Sequence, residues 1–202
     1  MSDERDRPLS QADLDADPNV QLRGWIEEAG GLPAGDAITL ATATRDGAPS
    51  ARLVLLKSAD ERGLTFYTGY ESRKGRELDE NPRAAVVLYW HDLGRQVRIE
   101  GLVERLPESD SDAYFAQRPL GSRLSAVASR QSEVIAGRDE LEEAVAALRE
   151  RLGEDVPRPA TWGGYRLVPS YWEFWQHRAD RLHDRFRYRP GDEGWVVERL
   201  AP

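Results

Sequence analysis

The chain contains no cysteine, one methionine and three histidines. The absence of cysteine excludes disulfide bonds, thiolate metal ligands and thiol nucleophiles. The histidines, His91, His177 and His183, also lack the spacing of a metal motif such as HExxH. We therefore expect no metal site and no cysteine chemistry.

Long apolar segments are absent as well. No run approaches the roughly 20 residues that span a membrane, and the N-terminal MSDERDRPLSQ lacks the hydrophobic region of a signal peptide. The expected location is the cytoplasm, without membrane association. The net charge of −8 and the isoelectric point near 5.1 argue against nucleic-acid binding. An anion site would therefore need a local basic cluster.

The length and composition fit one folded domain, since the chain has 202 residues, of which 40% are hydrophobic. Residues 1–16 are polar and charged, which predicts a flexible N-terminal arm ahead of a single domain over 17–202. That domain opens with a helix. Asp17 is placed to cap it, Pro18 suits its first turn, and Gly30-Gly31 ends it.

The hydrophobic period becomes that of β-strands from residue 37. Residues 37–44 and 50–57 flank Asp46-Gly47 and predict a hairpin. Helices are expected at 73–80, capped by Ser72, and over 108–150, with breaks at Pro119 and near Gln131. Many short strands with peripheral helices indicate a mainly β (α+β) fold, an antiparallel barrel with helices outside. The further strands are expected at 64–68, 83–90, 95–106, 163–168, 171–177, 183–189 and 195–200.

Polar residues interrupt this pattern at a few places. RLVLLK places Arg52 and Lys57 at the two ends of an apolar strand. Their odd spacing sends them to opposite faces of a regular strand, which leaves either a bulge or two separate sites open. FYTGYESRK places Arg73 and Lys74 at the start of a helix, where free amides and the helix dipole favour an anion.

Two further groups have the same character. Tyr114 and Arg118 lie one helical turn apart in YFAQRP. In RLHDR, a strand would put Arg181, His183 and Arg185 on one face, with Asp184 on the other. Each group alone is more typical of a solvated surface or of a structural histidine than of a site.

Taken together and in this order, these motifs resemble the pyridoxamine 5′-phosphate oxidase family over about residues 18–202. The resemblance is carried by RLVLLK, FYTGYESRK, NPRAAV, RQVRIEG, YFAQRP, SRQS, WGGYR, FWQ, RLHDRF and ERLAP. It implies a split antiparallel β-barrel of the FMN-binding type, assembled as a homodimer with FMN at the subunit interface.

The resemblance also implies roles for individual residues. Arg181 and His183 match the catalytic pair placed over the substrate ring beside the flavin. The phosphate of the substrate would be held by Lys57, Tyr114, Arg118 and Ser122, a set of cations and hydroxyls suited to an anion. The residues that match FMN contacts are Arg52, Tyr67, Thr68, Arg73, Lys74, Gln96, Gln131, Ser132, Trp175 and Arg185.

The implied reaction is oxidation of pyridoxamine 5′-phosphate or pyridoxine 5′-phosphate to pyridoxal 5′-phosphate. Hydride would pass to flavin N5, and O2 would reoxidise the flavin and yield H2O2. Arg181 would hold the substrate, while His183 could hydrogen-bond or accept a proton. Two alternatives stay open: a same-fold FMN oxidase with another substrate, as in the phenazine pathway, and a non-catalytic protein that stores FMN or pyridoxal phosphate.

The chain departs from the family pattern in two places. The arm before Asp17 lacks the basic and aromatic residues that some members fold over the substrate. After FWQ the chain carries His177-Arg178, where members often have small residues. This second difference concerns the shape of the loop that leads to RLHDR.

Overall fold

The computed structural model describes residues 5–30 and 37–202, so Gly31 of the predicted helix stop lies outside the described residues. The helices are α1 (Pro18–Glu28), α2 (Arg73–Glu80), α3 (Glu108–Gln117), α4 (Leu120–Ala128) and α5 (Arg138–Leu152). Two short 3-10 turns lie at Gln11–Asp13 and Ala179–Arg181. The strands are β1 (Ala37–Ala43), β2 (Pro49–Leu55), β3 (Ser58–Asp60), β4 (Gly63–Gly69), β5 (Arg83–Trp90), β6 (Arg95–Arg105), β7 (Trp162–Gln176), β8 (Asp184–Gly191) and β9 (Gly194–Arg199).

The strands form one antiparallel sheet that branches at β7. The main path runs β2-β1-β5-β6-β7-β4-β3, while β8 pairs with β7 and β9 with β8. The first part of β7 pairs with β4 and its last part with β8, whereas β6 follows it over most of its length. The sheet curls into a half-barrel with the helices outside it. The prediction of a mainly β split barrel is confirmed.

β7 corrects the prediction of two strands at 163–168 and 171–177. It is a single strand of 15 residues, and its pairing with β6 shifts register between Glu100 and Gly101. Pro169, which has no N–H for the ladder, lies opposite this irregularity, where proline is tolerated. A Cβ on Gly101 would lie 2.0 Å from the Val168 carbonyl oxygen, so only glycine fits the approach.

The main core lies inside the curl of the sheet, where alternate residues of the strands meet α1. Leu22 and Trp25 of α1 are almost fully buried, and the Trp25 ring meets Phe174 edge-on at 5.1 Å. A second, smaller cluster joins α3–α5 to the start of β7. It contains Phe115, Leu124, Val156 and Trp162. Trp162 of this second cluster also lines the cavity described below.

Part of the N-terminal arm lies against the ends of β7 and β8. Leu9 is buried, and its N–H donates to Asp184 Oδ2 at 3.1 Å. The Tyr188 hydroxyl donates to the Asp15 carbonyl at 2.7 Å. The flexible arm over residues 1–16 and the single domain over 17–202 stay predictions.

Candidate active site

A cavity of about 800 Å³ opens between the edge strand β2, the end of β4, the start of α2 and the α3–α4 pair. It collects side chains from both of the groups expected from the sequence, those for FMN and those for the substrate phosphate. The expected residues among its lining are Arg52, Lys57, Tyr67, Thr68, Lys74, Tyr114, Arg118, Ser122 and Gln131.

Arg52 and Lys57 reach the same cavity despite their odd spacing. β2 ends at Leu55, two residues before the predicted end, and Lys57 lies between β2 and β3. The cavity is also lined by Leu53, Val54 and Leu55, so it borders this edge strand on both of its faces.

Lys74 is a buried cation at the start of α2. Its side chain is 7% exposed, and Nζ donates to Thr68 Oγ1 at 3.1 Å and to Ser72 Oγ at 3.3 Å. Burial and, after it, the Arg52 charge lower the pKa of Lys74 to about 8, while Glu77 opposes them. A bound anion would offset both effects by stabilising the charged ammonium group, so these residues suit a phosphate.

Glu77 is a buried carboxylate that no sequence motif identified. It accepts hydrogen bonds from Thr42, Ser50, Arg52 and Arg73, with Ser50 Oγ at 2.6 Å and Arg73 Nε at 2.9 Å. Burial raises the pKa of Glu77, but the hydrogen bonds together outweigh it and hold the pKa at about 2. An ionised Glu77 thus fixes two arginines expected to contact FMN. The only local signal was its i,i+4 spacing from Arg73.

The loop between α4 and α5 closes over the end of β4. Gln131 Oε1 accepts from Thr68 Oγ1 at 3.0 Å and from the Gly69 N–H at 3.2 Å. Ser132, in a left-handed conformation with φ 76°, accepts the backbone N–H of Arg73 at 3.2 Å. Arg73 and Ser132 do not line the cavity, but these bonds fix them beside it.

Arg118, the residue that follows α3, also lines the cavity. Its Nη1 is buried without a hydrogen-bond partner among the described residues. Burial lowers the pKa of Arg118, and Tyr114 opposes the shift. An unpaired buried donor is costly, and an incoming anion would satisfy it. With Lys57, Tyr114 and Ser122 in the same lining, the arrangement fits a second phosphate.

The remaining expected residues lie elsewhere. Gln96, Trp175, Arg181, His183 and Arg185 do not line the cavity. Gln96 lies opposite Trp175 in the β6–β7 ladder, and Trp175 lies opposite Arg185 in the β7–β8 ladder. The His183 ring is 4.5 Å from the Trp175 ring. These residues form a second group at the far end of β7.

The prediction that Arg181, His183 and Arg185 share one strand face is wrong. β8 begins only at Asp184, and Arg181 closes a 3-10 turn with φ 62°. Asp180 before it is also left-handed, with φ 54°. The reversal of the chain between β7 and β8 requires this turn, so strand alternation cannot place Arg181. Arg185 itself pairs with Glu173 at 2.8 Å.

The two residues that depart from the family pattern lie beside His183. The Arg178 N–H donates to His183 Nδ1 at 3.1 Å, and the His177 ring is 5.5 Å from the His183 ring. Burial lowers the pKa of His183, followed by the neighbouring His177, Arg181 and Arg185. His183 is therefore neutral near pH 7, and its accepting Nδ1 places the ring proton on Nε2.

The two groups are separated by most of β7. Trp162, in the cavity lining, begins the strand, and Trp175 lies 13 residues further along. A straight strand of that length spans roughly 40 Å at about 3.3 Å per residue. The two groups therefore lie at opposite ends of β7 within one chain.

Two large apolar side chains are exposed on strands next to the two groups, and we call them the apolar outer face. Leu53 of β2 is 69% exposed and borders the cavity, and Tyr89 of β5 is 51% exposed. Tyr89 lies opposite Gln96, which continues the row of opposed residues through Trp175 to Arg185.

Within residues 5–30 and 37–202, no group of histidine, aspartate and glutamate side chains could hold a metal ion. None of the helices in that part of the chain has the length and apolar character to cross a membrane.

Comparison with known families decides the relationship. The family model for pyridoxamine 5′-phosphate oxidase matches residues 27–152, which include every residue of the cavity group except Trp162 and Thr161. The model for the pyridoxine 5′-phosphate oxidase C-terminal dimerisation region matches residues 162–202. The chain belongs to the pyridoxine 5′-phosphate oxidase family. The resemblance inferred from the motifs is confirmed.

Relatives in this family cover nearly the whole chain. A pyridoxine/pyridoxamine 5′-phosphate oxidase of Cupriavidus pinatubonensis is 54% identical over 197 residues, 96% of this chain and 93% of the relative. The enzyme of the same name from Bordetella pertussis is 54% identical over 190 residues, 93% of this chain and 90% of the relative.

Solved structures agree with this assignment. The crystal structure of PhzG from Burkholderia lata in complex with tetrahydrophenazine-1-carboxylic acid has a TM-score of 0.90 at 36% identity, and the match covers 98% of this chain and all of that one. A pyridoxamine 5′-phosphate oxidase-related FMN-binding protein from Nostoc punctiforme shares the fold, with a TM-score of 0.71 at 19% identity over 89% of this chain and 97% of that one.

Proposed function

We propose that the chain is an FMN-dependent oxidase that converts pyridoxamine 5′-phosphate or pyridoxine 5′-phosphate to pyridoxal 5′-phosphate. The observation that carries this proposal is a cavity lined by two cations with different surroundings: Lys74 is buried at the start of α2, and Arg118 has a buried Nη1 without a hydrogen-bond partner among the described residues. Two phosphate-bearing molecules bound side by side need two such cations. A cytoplasmic location stays a prediction.

FMN is the cofactor, and its phosphate fits the end of the cavity at α2. Lys74 and the two arginines fixed by Glu77 supply positive charge there. The start of α2 adds the positive end of the helix dipole, while the Arg73 and Gly75 N–H groups donate to Ser132 Oγ and Ser72 Oγ. Gln131 carries an amide that can both donate and accept, as a flavin edge requires.

The active unit that we propose is a homodimer in which each flavin is bound by both chains. The separation of the two groups along β7 supports this, because the three remaining FMN residues, Gln96, Trp175 and Arg185, lie at the far end of the strand from the cavity. Except for Gln96, the second group lies in the segment that matches the dimerisation region of the family. The apolar outer face offers the surface through which Gln96, Trp175 and Arg185 of a second copy would reach the cavity.

FMN held by Lys74, Arg52 and Gln131 would supply the redox chemistry, as an acceptor of hydride from the substrate carbon that O2 reoxidises with release of H2O2. The chain itself binds and orients the substrate. Lys57 and Arg118 would hold the substrate phosphate, and charge-assisted hydrogen bonds to both would fix the ring relative to the flavin. Arg181 would hold the ring from the other side.

The geometry of His183 favours a hydrogen-bonding role over that of a general base. Its Nδ1 already accepts the Arg178 N–H, so the neutral ring carries its proton on Nε2. In that tautomer Nε2 donates to the substituent of the substrate and cannot take a proton from it. The lowered pKa keeps this neutral form in place at physiological pH.

The test is aerobic turnover of both vitamers by purified protein supplied with FMN, with O2 uptake, H2O2 and pyridoxal 5′-phosphate measured together. We expect equal amounts of the three per turnover. Binding of FMN and pyridoxal 5′-phosphate without peroxide from either vitamer would instead identify a storage protein.

A second candidate is an oxidase of a tricyclic carboxylic acid. The similarity to PhzG over nearly the whole chain favours it. Parallel assays with a reduced phenazine carboxylic acid distinguish the two candidates. A carboxylate should bind more weakly than a phosphate dianion to the two cations Lys57 and Arg118. Turnover of the tricyclic acid with inert vitamers would overturn the vitamer assignment.

A further inference from the structure

Arg118 differs from the other cations of the cavity in what holds it. Arg52 and Arg73 are fixed by the carboxylate of Glu77. The Arg118 guanidinium carbon instead lies 4.6 Å from the centroid of the Trp162 ring and 5.6 Å from that of Phe115. Its Nη1 is buried and has no hydrogen-bond partner in the described part of the chain.

This difference matters for binding an anion. A carboxylate partner would occupy the N–H donors of the guanidinium and would compete with a phosphate for them. A ring face attracts the cation through its quadrupole and leaves the donors in the guanidinium plane available. The attraction strengthens as water is displaced, and Arg118 is partly buried.

The Trp162 ring is itself fixed from several sides. It is nearly parallel to Tyr114 and Tyr67, at interplanar angles of 7° and 14°, and Phe115 meets it more steeply at 5.1 Å. Its backbone pairs with Gly69 in the ladder between β7 and β4. Only 8% of the residue is exposed. One indole therefore contacts two of the four residues expected around the substrate phosphate.

We infer that Trp162 is a positioning residue of the substrate-phosphate cage, which holds Arg118 by its ring face and keeps the guanidinium donors free for the phosphate. The inference rests on the proposed function for the identity of the ligand. No sequence pattern distinguished Trp162 from an ordinary core aromatic residue.

The first test separates KM from kcat. In FMN-loaded protein, Trp162→Leu should raise KM for pyridoxamine 5′-phosphate about 10-fold, the size of a desolvated cation–π contact, with kcat within about twofold of wild type. Trp162→Phe keeps an aromatic ring, so its KM should lie between the values of the wild type and Trp162→Leu. Trp195→Leu, which removes an indole from β9 outside the cavity, is the matched control and should leave KM unchanged. Equal effects of both Leu variants would overturn the inference.

A double-mutant cycle then tests whether Trp162 acts through Arg118. Arg118→Gln, Trp162→Leu and the double variant are compared for KM. If the indole acts through the guanidinium, Trp162→Leu should add less than about twofold in the Arg118→Gln background. If the effects of the two substitutions on KM instead multiply in the double variant, Trp162 supports the fold or another contact. That result would contradict the inference.

Titration with pyridoxal 5′-phosphate without turnover keeps this inference separate from the proposed function. Absorbance titration of the FMN-loaded wild type and variants reports the cage directly. Weaker binding by Trp162→Leu, rescued in part by Trp162→Phe, supports the inference even if neither vitamer is oxidised, in which case only the proposed reaction fails. If Trp162→Leu does not fold, Trp162→Phe alone decides, and an unchanged dissociation constant for it would overturn the inference.

Discussion

At the scale of single residues, the electrostatics of Lys74 lead to a pH dependence of cofactor binding. The pKa of Lys74 is lowered to about 8 by burial and by Arg52. A bound phosphate would raise it again, so the complex would hold more protons than the free protein above pH 8. The affinity for FMN should therefore fall as the pH rises beyond about 8, by up to 10-fold per pH unit.

Fluorescence titration of apoprotein with FMN between pH 6.5 and 9.5 measures this dependence. Lys74→Arg is the matched control, because an arginine stays charged over that range. Its dissociation constant should change much less with pH. A wild-type affinity that stays constant to pH 9.5 would rule out Lys74 as the titrating group.

Glu77 should affect stability in acid. Its folded pKa of about 2 lies below the ordinary 4.5, so its contribution is present above pH 4.5 and lost as the pH falls towards 2. At neutral pH this contribution is about 3 kcal/mol. Glu77→Gln should therefore lower Tm at pH 7, and the difference from wild type should shrink between pH 4.5 and 2. If the difference in Tm between Glu77→Gln and the wild type does not change with pH, Glu77 stabilises the fold through its packing and not through its charge.

For His183, the hydrogen-bonding role gives a moderate effect. His183→Ala should slow anaerobic flavin reduction by about 10-fold, as expected for one lost hydrogen bond, without removing a pKa from the rate profile. Stopped-flow measurement with saturating pyridoxamine 5′-phosphate isolates that step. A loss of 100-fold or more together with a missing pKa near neutrality would favour a general base instead.

Single residues also show how much of the candidate site could be predicted from the sequence. The order of the motifs identified the family, and nine of the expected residues line one cavity. Glu77 was missed because its donors come from β1, β2 and its own helix, and that meeting exists only in the folded chain. Arg181 was placed on a strand because two left-handed residues in succession have no signature outside glycine.

At the scale of elements, β7 depends on the close approach at its irregularity. Gly101→Ala would put a Cβ 2.0 Å from the Val168 carbonyl oxygen, which forces the backbones apart. We expect a loss of about 1–3 kcal/mol in the free energy of unfolding by denaturant titration. Gly24→Ala is the control, since a Cβ there meets nothing within 4 Å and α1 gains helix propensity. Equal stability of both variants would contradict the close packing of β6 on β7.

The elements were largely predictable because hydrophobic alternation and turn residues are local. Two strands were predicted in place of β7 because Pro169 and Ser170 are residue types typical of a turn. That prediction was wrong. Pairing with β6 across the shifted register carries the strand through them.

At the scale of the whole molecule, a shared site predicts complementation between defective chains. A Lys74→Met chain damages only the cavity group, and an Arg185→Ala chain only the second group. In a mixed dimer one site carries both changes and the other carries neither. Since about half of randomly paired dimers are mixed, co-refolding of the two inactive variants should restore about a quarter of wild-type activity.

Co-refolding each variant with itself is the control and should restore no activity. If both groups served one site within a single chain, the mixture would contain no intact site and would stay inactive. The sequence alone could not locate this division. Distance along β7 becomes apparent only when both ladders of that strand are known.

The two tryptophans Trp162 and Trp175 on β7 provide intrinsic fluorescence probes of flavin binding. Trp162 lies at the cavity and Trp175 in the second group, so in the proposed dimer a flavin would lie near an indole from each copy. A flavin absorbs where an indole emits, and excitation energy passes between them over short distances. Replacing one of these tryptophans by phenylalanine would leave quenching from the other, so that cofactor capture and the pairing of subunits could be followed separately, without any attached dye.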